Sequence, residues 1–98
     1  MSEPFLNQPE QCTTVRVFND YGLHARPAAL LAAEARKYAS ELTLIHGDTA
    51  VDAKSVLDIL TLAVPKGTSL LLCARGADAD AALKEISRLF AARFQEGD

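Results

Sequence analysis

Ala79, Ala82, Leu83, Ile86, Leu89, Phe90 and Phe94 recur at helical spacing near the C-terminus. A helix with one apolar stripe must bury that stripe on a second layer. Four short runs can supply the layer. Residues 13–18 alternate, with Val15 and Val17 on one face and Arg16 on the other. Residues 42–46 and 49–51 flank Gly47 and Asp48 and read as a hairpin. Residues 69–73 form the fourth run, closed by Gly76. Between them, an Ala/Leu-rich helix is expected from Ala25 to near Tyr38, burying Ala28, Leu31, Ala35 and Tyr38. Ser55 opens another short helix, with Asp58 three residues on in a capping-box pattern. Asp78 and Asp80 load the last helix start with negative charge. The order is βαββαβα. Four short strands cannot close into a barrel, so the expected fold class is α+β: an open-faced sandwich, a four-stranded antiparallel sheet with three helices on one face.

A length of 98 residues makes one domain. We place it at residues 12–98, behind a flexible tail at 1–11 that holds two prolines and few large apolar groups. The net charge of -3, without a Lys/Arg run, excludes a nucleic-acid binder. No apolar run approaches the ~20 residues of a membrane span. Met1-Ser2-Glu3-Pro4 does not open a secretory signal, so the expected location is the cytoplasm. Cys12 and Cys73 lie far apart without metal-ligand spacing and read as two free thiols in a reducing compartment, with a disulfide as the alternative that sequence leaves open. His46, beside Gly47, reads as a turn or surface histidine. Neither a Gly-rich lysine loop nor an acidic metal cluster is present, so no cofactor and no metal are expected.

The candidate chemistry lies in Gly22-Leu23-His24-Ala25-Arg26-Pro27-Ala28-Ala29, where a loop hands over to a helix. The first N–H groups of a helix lack intrahelical partners, and its dipole is positive there. That geometry binds phosphate. A free imidazole titrates near ~6.5, so much of it is neutral and nucleophilic at cytoplasmic pH. His24 is therefore the candidate phosphoacceptor. The backbone N–H groups of Ala25 and Arg26 are candidate phosphate ligands. The Arg26 guanidinium suits the phosphoryl oxygens because its planar fork stays charged and pairs in two places. Pro27, in the first helical turn, loses no hydrogen bond and reads as structural.

This segment resembles the active-site motif of the histidine-containing phosphocarrier proteins of the bacterial phosphotransferase system, and the resemblance spans roughly residues 13–94. A second block, from Asp52 to Leu62, is similar to that family's regulatory-serine segment. The resemblance implies the same fold, with phosphate carried on Nδ1 of His24. It also implies enzyme I, charged by phosphoenolpyruvate, as donor and an enzyme IIA-type domain as acceptor, the chain itself being a monomeric carrier and not a turnover enzyme. Ser55 has two readings: a helix N-cap, and a regulatory site for a serine kinase or phosphorylase. Asp58, one turn along, would repel a phosphoserine. Val56, Leu57 and Leu60 are candidate docking residues, with Leu57 the one expected to be exposed. The alternative reading is a regulatory binding module controlled by phosphorylation at Ser55.

Overall fold

The computed structural model describes residues 8–95. The expected tail therefore lies outside the described residues up to position 7, as do residues 96–98 of the expected domain. The elements are β1 (Gln11–Arg16), α1 (Ala25–Ala35), β2 (Glu41–His46), β3 (Thr49–Asp52), α2 (Val56–Thr61), β4 (Ser69–Arg75) and α3 (Ala79–Ala91), followed by a 3-10 turn at Arg93–Gln95. The four strands form one antiparallel sheet in the order β1-β4-β2-β3. Strand alternation sends Val15, Leu42, Leu44, Leu70, Leu72 and Ala74 to one face, where the helices cover them. Among the described residues, no helix covers the opposite face. This is the expected open-faced sandwich. None of its helices, among the described residues, is long and apolar enough to cross a membrane.

Three sequence expectations change. The C-terminal stripe is not one helix: α3 ends at Ala91, and residues 93–95 take φ values of 52°, 52° and 61°. That left-handed turn folds Phe94 back, edge-on to Phe90 at 4.9 Å, so Phe94 is core without being helical. Leu83 and Leu89 are only half-buried.

The expectation of two free thiols is also overturned. Cys12 and Cys73 are joined in a disulfide. Sixty-one residues separate them in sequence, but the β1–β4 register sets them directly opposite each other. β1 itself starts at Gln11, paired with Ala74.

The third change concerns α1, which ends at Ala35 and leaves Tyr38 half-buried beyond it. Asp78 stands where expected, at the N-cap of α3. Its carboxylate does not cap α3. It accepts hydrogen bonds from the backbone N–H groups of Ala39 and Ser40, both at 2.9 Å, and from the Ser40 hydroxyl. The hydroxyl first, then the Ala39 N–H, holds the Asp78 carboxyl below its ordinary value. Asp78 thus ties the start of α3 to the turn that follows α1.

Candidate functional site

The loop leaving β1 is pinned along its length. Val17 extends the ladder, donating to Thr68 O at 2.9 Å and accepting from Gly67 N at 2.7 Å. Asn19 is buried and donates its Nδ2 to Arg93 O at 2.9 Å. Lys66 reaches Asp20 at 2.7 Å and holds that carboxyl below its ordinary value. Gly22 closes a turn onto Asn19 O, and Leu23 N donates to Val64 O at 3.1 Å. Gly22 has φ +71°, and a Cβ there would meet Val64 O at 2.2 Å. Only glycine allows so close a seating of the loop on the α2–β4 connection.

His24 follows as the N-cap of α1, with extended backbone (φ -80°, ψ -169°) and a carbonyl that accepts from Ala28 N at 3.0 Å. Its side chain makes no capping hydrogen bond, and the first turn holds no acidic residue. Pro27 is buried and has no N–H, so the helix start presents the N–H groups of Ala25 and Arg26. Ala25 and the Arg26 side chain are exposed. The imidazole is half-buried with Nε2 enclosed. Tyr21 meets it edge-on, ring centroids 6.1 Å apart. Together with Leu60, Ala63 and Pro65 the two rings line one shallow depression. Ala63 takes φ +50° and ends α2 there.

The sequence-derived residues do not all converge on this depression. Leu60, from α2, joins His24. Ser55 sits at the other end of α2: Arg36, just past α1, donates Nε to Lys54 O at 2.9 Å and so holds that end beside the end of α1 remote from His24. Ser55 is the N-cap of α2, its Oγ accepting from Asp58 N at 3.2 Å. The capping box is half made, because the Asp58 carboxylate faces Asp52 N at 3.5 Å instead of Ser55. Val56 and Leu60 are partly buried against the core, and Ile59 anchors the helix in it. Leu57 is 77% exposed. His46 is exposed at the end of β2. Tyr21 was missed by sequence reasoning, and its one signal was an aromatic residue inside the turn just before the motif.

The family model for the phosphotransferase-system HPr component phosphorylation site matches residues 11–92. The chain belongs to the HPr family. It is 42% identical over 83 residues to the phosphocarrier protein HPr of Treponema pallidum (strain Nichols), covering 85% of this chain and 94% of that protein. It is also 42% identical over 82 residues to the phosphocarrier protein NPr of Shewanella violacea, covering 84% and 90%. The crystal structure of HPr-C-His from Thermoanaerobacter tengcongensis superposes with a TM-score of 0.85 at 35% identity, covering 90% of this chain and 99% of that one. The HPr-type fold and membership of the phosphotransferase-system phosphocarriers are thereby shown.

Proposed function

We propose that the protein accepts a phosphoryl group on His24 from enzyme I, charged by phosphoenolpyruvate, and passes it to an enzyme IIA-type domain. The observation that carries this reading is the start of α1. An imidazole with Nε2 enclosed stands over a helix N-terminus that has no acidic residue and no side-chain cap. Enclosure of Nε2 supports Nδ1 as the reacting nitrogen. Its lone pair attacks phosphorus while the bond to the donor breaks. The Ala25 and Arg26 N–H groups and the Arg26 guanidinium take up charge on the phosphoryl oxygens. Transfer onward reverses these steps, so the protein is a transiently phosphorylated carrier that needs no cofactor.

Leu57, exposed on a helix whose Leu60 lines the depression, supports a docking surface of Val56, Leu57 and Leu60 for both partners. The carrier works as a cytoplasmic monomer. Ser55 is a helix cap first. A phosphate there would act on the docking helix from its far end, with Asp58 opposing it. That geometry favours the carrier over a purely regulatory module.

The test is incubation with enzyme I and phosphoenolpyruvate, followed by mapping of phosphate by residue. An acid-labile phosphate on His24, absent from His24→Ala, is the expected result. Full labelling of His24→Ala would overturn the reading.

A further inference from the structure

The bare face of the sheet carries a pair of sulfurs that phosphoryl transfer does not use. In β1, Val15 points into the core, so by alternation Cys12, Thr14 and Arg16 point outward. In β4, Leu70, Leu72 and Ala74 point inward, leaving Ser69, Leu71 and Cys73 on the outer face. The register Cys12↔Cys73 then places the two side chains side by side on the face that no helix covers.

We infer that Cys12 and Cys73 form a reversible thiol–disulfide site, one that exchanges with dithiol proteins and low-molecular-weight disulfides and so clasps or releases the first residues of β1. This goes beyond the phosphocarrier reading and does not depend on it.

Access is asymmetric. Cys12 is exposed, whereas Cys73 is 1% exposed beneath it. An incoming thiolate therefore reaches the Cys12 sulfur. The new bond forms there, the Cys12–Cys73 bond breaks, and Cys73 leaves as a thiolate that takes up a proton. The second thiol of a dithiol then displaces Cys12. The net change is reduction of one protein disulfide to two thiols and oxidation of one dithiol to a disulfide. The reverse reaction, with a small-molecule disulfide as oxidant, closes the clasp. The flanking charges are balanced: the Glu10 carboxylate lies within 4.8 Å of the sulfurs, and the Arg75 guanidinium lies 3.8 Å from Glu10.

Reversibility requires a fold that survives reduction, and the position of the pair provides it. Among the described residues β1 is an edge strand paired with β4 alone, and the bridge sits at its N-terminal end. Beyond it, Val15 and Val17 remain buried and Val17 keeps its ladder bonds to Gly67 and Thr68. Opening the bridge thus releases the outer end of the strand and leaves the core in place.

The experiment uses the full chain, equilibrated without air in glutathione mixtures from fully oxidised to fully reduced, and separately with a thioredoxin-type dithiol and its reductant. Samples are acid-quenched, alkylated and weighed intact. The expected result is the intramolecular disulfide in oxidising mixtures and two alkylated thiols after the dithiol, without denaturant. Two thiols in every mixture, or a disulfide that yields only in denaturant, would overturn the proposal. Hydrogen exchange on the two forms reads the clasp. Amides of residues 11–13 should exchange about tenfold faster when reduced, while those of α1 stay within about twofold. Equal exchange at residues 11–13 in both forms would refute the clasp even where the chemistry is reversible.

Discussion

The starts of α1 and α2 answer the same physical problem in opposite ways. Both leave backbone N–H groups outside the helical ladder. At α2, Ser55 supplies its own oxygen to Asp58 N, and the Asp58 carboxylate adds a negative charge within the first turn. At α1, the His24 side chain makes no capping hydrogen bond and the first turn holds no acidic residue. A missing cap costs a helix about 1 kcal/mol. The α1 start tolerates that cost because the loop before it is pinned at Val17, Asn19, Asp20 and Leu23. The difference separates a helix start capped by its own side chain from one without a side-chain cap, which the proposed acceptance of phosphate would use.

Closing the α1 start should break that contrast most sharply. Ala25 is exposed in the first turn, so Ala25→Asp places a carboxylate beside the proposed phosphate position. Helix stability should rise by about 0.3–1 kcal/mol, while phosphoryl acceptance falls about a hundredfold through like-charge repulsion. Rapid-quench transfer kinetics and thermal melting measure both, and equal transfer rates would mean that the open start is not the site. Arg26→Ala keeps the α1 start uncapped and removes the side-chain cation. Transfer should slow about tenfold with stability changed by less than about 0.5 kcal/mol, and Arg26→Lys should recover part of the rate.

A third helix start sharpens the contrast from the structural side. Asp78 spends its carboxylate on Ala39 and Ser40, so Asp78→Asn should cost about 1–2 kcal/mol and leave transfer unchanged. Its folded-state carboxyl sits below the ordinary value, so its contribution is complete above the unfolded value and is lost as pH falls through the folded one. Denaturant titrations should therefore show the widest gap between wild type and Asp78→Asn at neutral pH, narrowing below about pH 4. The smallest effect is expected at Ser55. Ser55→Ala should lower stability by about 1 kcal/mol in the same titration, with acceptance at His24 within about twofold of wild type.

Local signals made much of this legible. Gly22, His24 and Pro27 mark a turn, a helix boundary and a first-turn proline within six residues, so the α1 start could be read directly. Ser55 and Asp58 likewise announced α2. What escaped depends on long-range placement. Nothing near Cys12 in sequence indicates that Cys73 will lie opposite it, because that follows from β1 pairing with β4. Phe94 kept helical spacing, yet the chain leaves the helix through left-handed residues 93–95, which apolar periodicity does not encode. Asp78 looked like a helix-start charge, but its partners on the α1–β2 turn become neighbours only in the folded chain. The exposure of Leu57, by contrast, was expected, since a six-residue helix with Ile59 on its buried side cannot turn every apolar residue inward.

The strand order has a consequence for biosynthesis. Of the four described strands, β1 leaves the ribosome first and its partner β4 last. Gly22 and Leu23 can settle only on Val64, some forty residues further along. A growing chain therefore exposes its histidine long before the surroundings of that histidine exist. Pairings of this kind close large loops and form late in folding. On the proposed function, the nascent protein should therefore be an incompetent acceptor until β4 has been made, and fragments lacking β4 should carry no phosphate.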